Sequence, residues 1–308
     1  MENVNLMQQS NLYLLIALAV ITVIFLVRLL SVLRIRKSLQ QLRYFHFENI
    51  TNDFMETKPR LSLNHNSDTV ILLLHGFSSS VHEFDGLIKK LDENKINYYA
   101  PILTGFGLAD VDLLCRIKYQ DWIRDTENAY QLLRSKYKNV LVAGHSAGGA
   151  LSMWLASKYH LPAIFITSPY VQIKNGHTYI HKLTRSSLLF DLIKLFHPIV
   201  SKSKTKNNKG VKRFVFDAVP LAAVKAVWDL TEVIDFKDLN ETDVCLFTSV
   251  KDNTVIEADL LDLFNRSGIK YKHRSYEASG HNILEDAEKE AVVQELAEDL
   301  VKRVKGLN

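Results

Sequence analysis

Only two cysteines occur in 308 residues, which rules out a disulfide framework. Cys245 lies in the apolar run Val244-Cys245-Leu246-Phe247 and reads as core, while Cys115 stands isolated between Leu114 and Arg116. Neither has a metal-ligand or redox partner at motif spacing, so a thiol-reducing compartment is compatible and no metal or cofactor is implied. There is no internal repeat. A net charge of +4 is too small to point to nucleic acid. The hydrophobic fraction of 47% and charged fraction of 23% are those of an ordinary globular protein.

Charge is missing where it matters. Residues 12–27 carry none, and the apolar trend continues through Leu29, Leu30, Val32 and Leu33, with Arg28 the only interruption. About 20 such residues cross a hydrocarbon core, and a long Arg near one end reaches the headgroups. A cleaved signal peptide is the rival. It is disfavoured because no Lys or Arg precedes Leu12 and no small-residue cleavage site follows the run. Arg28, Arg34, Arg36, Lys37 and Arg43 lie at or beyond the far end, so the positive-inside rule predicts a single-pass protein with a cytoplasmic body. The expected plan is an anchor and basic flank over 1–37, a linker over 38–67 and a folded domain over 68–308.

Strand and helix patterns alternate from residue 69 onward. Strands are predicted at 69–74, 96–101, 140–143, 162–167, 243–250 and 269–276. Helices are predicted at 82–94, 119–137, from Ala147, at 257–265 and at 284–304. This alternation predicts a mostly parallel sheet covered on both faces, an α/β fold whose active residues sit at the carboxyl ends of the strands. Between Pro169 and Asn240 the rhythm breaks. No clear strand is visible, only helical pieces at 187–196 and 221–230. This insertion, about 170–240, is too long for a connector and is predicted to form a cap or lid. Within it, the loop 201–213 carries Lys202, Lys204, Lys206, Lys209, Lys212 and Arg213 without an acid. Such a run is either a solvated loop or a second membrane contact.

Ser146 stands between the strand 140–143 and the next helix, flanked by Gly144, Ala147, Gly148 and Gly149. A tight strand-to-helix turn crowds the positions two before and two after its centre, so Gly144 and Gly148 read as the glycines of a nucleophile elbow. A serine hydroxyl needs an imidazole to take its proton, and the imidazole needs a carboxylate to fix its tautomer. His281, in Ala278-Ser279-Gly280-His281-Asn282, follows the last strand and is the candidate base. His145 is rejected because a neighbour in a tight turn points away; His75 is expected to shape its own loop, and His177, His181 and His197 lie in the insertion. Asp252 follows the strand 243–250 and is the candidate acid, with Asp243 and Asp259 as alternatives. For the oxyanion, the Ala147 N–H comes with the turn, and the Phe77 N–H follows Gly76 in the first strand's loop.

At these motifs the chain resembles the α/β-hydrolase superfamily, and more narrowly bacterial carboxylesterases and monoacylglycerol lipases. The resemblance runs from about Thr69 to the C-terminus through LLLHGFSSS, YYAPILTGFG, the DWIRD helix, GHSAGG, SVKDNTV and SGHNILED. It implies a catalytic triad of Ser146, Asp252 and His281, with oxyanion amides at Phe77 and Ala147. Many relatives carry a histidine where Phe106 stands, and the insertion is longer and more basic than a compact esterase cap. The implied activity is cleavage of acyl esters, with a lipid-derived substrate such as a monoacylglycerol or lysophospholipid. Phe77, Leu103, Phe106 and Leu188 are candidate walls for the acyl chain. An acyltransferase or thioesterase would use the same triad. A silent membrane-tethered interaction module is the rival of a different class, and such proteins usually lose a triad member or an elbow glycine.

Overall fold

The computed structural model describes residues 2–39, 58–107, 111–171, 184, 186–201, 216 and 218–307. The basic run 202–213, residues 40–57 of the expected linker, His177 and His181 lie outside the described residues. In chain order the strands are β1 (Arg60–Ser62), β2 (Thr69–Leu74), β3 (Asn97–Ala100), β4 (Asn139–His145), β5 (Ala163–Thr167), β6 (Ile199–Ser201), β7 (Ala218–Pro220), β8 (Asp243–Ser249) and β9 (Tyr271–Tyr276). The helices are α1 (Glu2–Leu39), α2 (Asp85–Glu93), the single turn α3 (Val111–Leu114), α4 (Tyr119–Arg134) and α5 (Ala147–Tyr159). They continue with α6 (Ser187–Phe196), α7 (Leu221–Thr231), α8 (Glu257–Arg266) and α9 (Lys289–Leu307).

Two-residue periodicity builds the core. In β2, Val70, Leu72 and Leu74 enter one apolar cluster while Ile71 and Leu73 enter another. In β4, Val140 and Val142 divide from Leu141 and Ala143 in the same way. Side chains of a strand point alternately to opposite faces, so two clusters mean a sheet buried on both. Helices α4, α5, α7 and α8 supply the partners on the first face; α2 and α9 supply them on the second. Leu87, Ile88 and Leu91 of α2 meet Val292, Val293 and Leu296 of α9 there.

The seven-stranded sheet runs β1-β3-β2-β4-β5-β8-β9, parallel except for the antiparallel edge strand β1. From β2 the chain moves to one side to form β3 and then returns to the other side to form β4. The reversal leaves a crevice beyond the carboxyl ends of β2 and β4, where such sheets bind ligands. Leu74 pairs with Gly144 at that end, which sets the His75–Gly76–Phe77 loop beside the Ser146 turn.

Four elements depart from the sequence expectation. β1 lies inside the segment expected as linker, pairing Arg60 with Ala100 and Ser62 with Tyr98. β6 and β7 pair within the insertion expected to be strandless. Each strand has three residues, too few to carry a periodic signal. The last helix begins at Lys289 rather than near 284, because 282–289 forms turns in which Glu285 bonds Asn282 and Lys289 bonds Asp286. At the N-terminus, α1 contains the apolar stretch Asn11–Leu33, long enough to cross a membrane and almost wholly uncovered by the rest of the chain.

Candidate active site

Ser146 leaves β4 and enters α5 with φ 52° and ψ −115°, a left-handed region costly for any residue with a Cβ. Three backbone hydrogen bonds hold it there. Its N–H donates to the Thr167 carbonyl at 2.9 Å, and its own carbonyl accepts from Tyr170 at 2.9 Å and Ala150 at 3.1 Å. The glycines around it are required by space. A Cβ at Gly148 would overlap the Leu74 carbonyl oxygen, and one at Gly144 would overlap the Gly148 carbonyl. With the backbone pinned, the hydroxyl projects into the crevice and the residue stays only 8% exposed.

The structure brings together three predicted side chains from three strand ends. Ser146 Oγ lies 2.8 Å from His281 Nε2, and His281 Nδ1 lies 2.7 Å from Asp252 Oδ2. An ionised carboxylate can only accept, so Nδ1 carries the proton and Nε2 is left to accept from the serine. Asp252 follows β8, and its second oxygen accepts the N–H groups of Thr254 at 2.7 Å and Val255 at 2.9 Å. Burial pushes this carboxyl up, but the His281 ring and the two amides outweigh it, and the group stays below the ordinary carboxylate range. Of the alternative acids, Asp243 starts β8 at the far end and pairs with Arg303, and Asp259 lies within α8.

The His281 loop is braced by carboxylates that sequence reasoning overlooked. Glu288 accepts the N–H groups of Glu277, Ala278 and Ser279 at 3.2, 2.8 and 2.8 Å, and Asp286 accepts that of Gly280 at 2.7 Å. Burial opposes ionisation of Glu288, yet the amides hold it below its usual value. A second overlooked carboxylate is Glu83. It is buried, and its Oε1 accepts the Gly76 N–H at 2.6 Å, fixing the peptide that precedes Phe77. The available signal was an acid among the apolar positions Val81, Phe84 and Leu87, seven residues after Gly76.

Phe77 follows that fixed peptide, and Ala147 is the first residue of α5, so its amide is one of the first-turn donors that a helix cannot satisfy internally. His145 turns away from Ser146, its Nδ1 bonding Thr167 Oγ1 at 2.9 Å. Beside the serine loop, the ring of Phe106 meets Phe77 edge-on at 5.7 Å and stacks on Trp122 at 5.7 Å. Leu103 is buried in the same cluster. Leu188 is not among them: it stands on α6 with half its side chain exposed.

His75 shapes this loop. Its Nδ1–H donates to the Gly76 carbonyl at 2.9 Å, and Nε2 accepts the Leu103 N–H at 3.0 Å, which ties β2's loop to β3's. Burial drives its pKa down to about 4, against the pull of the Gly76 carbonyl. Between pH 6.5 and about 4 the unfolded chain therefore binds a proton that the folded protein refuses, and stability falls as pH falls. This one group should cost about 2–3 kcal/mol on going from pH 7 to 4.5. Urea unfolding at both pH values tests it. His75→Asn should be less stable at pH 7 but should lose less on acidification, and an equal acid loss in both proteins would reject the assignment.

Among the described residues no cluster of His, Cys, Asp or Glu could hold a metal ion. The arrangement can activate a hydroxyl for attack on a carbonyl.

The model of the family described as serine aminopeptidase, S33, matches residues 65–288. A carboxylesterase of Bacillus subtilis (strain 168) is 24% identical over 238 residues, covering 76% of this chain and 93% of that protein. A thermostable monoacylglycerol lipase of Bacillus sp. (strain H-257) is 29% identical over 94 residues, 30% of this chain and 37% of the lipase. Among solved structures, one of the metagenome-derived lipolytic enzymes LipS and LipT superposes with a TM-score of 0.69 at 18% identity, covering 81% of this chain and 99% of that one. At that identity the likeness shows the α/β-hydrolase fold.

Proposed function

This chain belongs to the serine aminopeptidase S33 family, and from that premise we propose that it is a membrane-anchored serine hydrolase that cleaves carboxylic acyl esters. The single observation that carries the reading is the hydrogen-bonded series Ser146–His281–Asp252, set on a strained elbow at the sheet's switch point. In the first step Ser146 Oγ attacks the ester carbonyl carbon while His281 Nε2 takes its proton. The carbonyl oxygen becomes an oxyanion, received by the amides of Phe77 and Ala147. Collapse breaks the bond to the alcohol oxygen, which leaves with the proton from His281, and the acyl group remains on Ser146. Water then attacks, giving up a proton to His281, and the carboxylic acid departs as Ser146 is reprotonated. Asp252 keeps Nδ1 protonated and stabilises the imidazolium in both steps.

A lipid-derived substrate is supported by three observations. The carboxylesterase and monoacylglycerol lipase relatives act on esters by their names. Phe77, Leu103 and Phe106, the candidate acyl walls, pack together as apolar side chains. The apolar stretch of α1 is uncovered, as a membrane span requires, and Arg34, Arg36 and Lys37 after it in the sequence favour a cytoplasmic catalytic body by the positive-inside rule. An acyl donor drawn from the bilayer, a monoacylglycerol or lysophospholipid, fits this setting.

The test combines labelling with a substrate panel. A fluorophosphonate should label the parent at Ser146 and leave Ser146→Ala unlabelled. Turnover should be measurable on p-nitrophenyl acyl esters and monoacylglycerol and negligible on alanine p-nitroanilide. Labelling without turnover of any ester, or faster anilide cleavage, would overturn the ester assignment.

A further inference from the structure

Helix α6 has the sequence SLLFDLIKLF, in which seven of ten residues are apolar, yet none of its residues is buried. Leu188, Leu192 and Phe196 recur every fourth residue along one face and are 48, 42 and 60% exposed. Leu189, Phe190, Ile193 and Leu195 are partly covered by the rest of the chain, while the stripe is left open. Apolar surface left on one face implies a partner outside the chain.

What lies beside it identifies that partner. α6 packs against α1, and Arg28 Nε of α1 pairs with Asp191 Oδ2 at 2.8 Å. Asp191 is largely covered, and its other oxygen takes Lys194 Nζ at 2.8 Å. Around Arg28 the side chains of Leu26, Leu29, Leu30, Val32 and Leu33 are exposed as well. The ion pair thus joins a helix with an exposed apolar stripe to the exposed apolar stretch of α1. Arg28 stands five residues before Leu33, the last residue of the apolar stretch. At 1.5 Å per residue it lies about 7–8 Å inside that end, the depth at which in-plane helices bury their apolar face.

We propose that α6 is a membrane-docking helix whose Leu188–Leu192–Phe196 stripe is buried in the phospholipid bilayer that α1 crosses, with the Arg28–Asp191 pair setting its depth. The proposal rests on the reading of α1 as a membrane span. It assigns Leu188 to the lipid rather than to the acyl pocket. Because α6 belongs to the insertion between β5 and β8, it also turns that insertion toward the leaflet that would supply an ester lipid.

The experiment uses the full chain in phosphatidylethanolamine/phosphatidylglycerol vesicles. In a Cys115→Ser, Cys245→Ser background, a nitroxide is attached in turn to Leu188→Cys, Leu192→Cys and Phe196→Cys. Val20→Cys reports on the span, and Leu132→Cys, an exposed position on α4, reports on a surface remote from it. Collision with lipid-soluble oxygen and with a water-soluble nickel chelate is read at each position. The three α6 labels should favour oxygen severalfold, Val20→Cys more strongly, and Leu132→Cys should favour the chelate. Asp191→Arg should shift the α6 labels toward the chelate, and the reversed pair Arg28→Asp with Asp191→Arg should bring them back. If Val20→Cys reports hydrocarbon while the α6 labels remain aqueous, the docking helix is overturned and the span stands. If Val20→Cys is itself aqueous, the anchor reading fails and the proposal goes with it. Shielding of the α6 labels from both reagents, with spin–spin broadening, would show a second copy on the stripe and overturn lipid as its occupant.

Discussion

Ser146→Ala should lower kcat for ester hydrolysis by roughly 10⁴-fold or more, and His281→Ala should do the same. The two side chains are 2.8 Å apart and act on one proton, so losing either disables the same step. The double variant should be scarcely slower than either single one, because no further function remains to be removed. The fold should survive both changes, since the elbow is held by backbone hydrogen bonds to Thr167, Ala150 and Tyr170 and the His281 loop by Glu288 and Asp286. Steady-state kinetics on a soluble p-nitrophenyl ester, with circular dichroism to verify folding, provides the check. Near-parental turnover in folded His281→Ala would remove His281 as the base.

Asp252→Asn should be almost as damaging, by about 10³–10⁴ in kcat, while leaving the protein folded. Asparagine retains an oxygen to accept the Thr254 and Val255 amides, so the turn after β8 survives. The nitrogen that replaces Oδ2 is a donor, and it cannot accept the His281 Nδ1–H. The ring then prefers the tautomer protonated at Nε2, which offers Ser146 no base. The same carboxyl is held below its ordinary value in the folded protein, so its contribution to stability is present above the ordinary carboxylate range. That contribution is lost as pH falls through the lower folded value, below most of the window set by His75. A folded Asp252→Asn protein with parental kcat would move the acid to another residue, with Asp243 and Asp259 next to be replaced.

The long elements were legible because their residues repeat a period. The prediction of a strand at 69–74 and a helix at 187–196 needed only runs of the right length and spacing, and both bounds coincide with β2 and α6. The three-residue strands β1, β6 and β7 were not legible. They exist because a neighbour supplies hydrogen-bond partners, as Ala100 does for Arg60, and nothing local in Arg60-Leu61-Ser62 announces it. The bracing carboxylates were missed for a related reason. Glu83, Asp286 and Glu288 read as ordinary acids of helix starts or turns until folding points them at the amides of Gly76, Gly280 and Ser279.

By itself, the sequence determined the alternating α/β plan, the apolar stretch near the N-terminus and the glycines that crowd around Ser146. Each follows from local chemistry: periodic burial, absence of charge, and positions that admit no Cβ. Only the tertiary structure decided that Asp252 rather than Asp243 meets His281, and that Leu188 stands half exposed on the helix whose Asp191 meets Arg28. Hydrogen bonds and ion pairs act over about 3 Å, and residues 29 and 163 positions apart in the chain reach that distance only after the sheet and its insertion have been assembled.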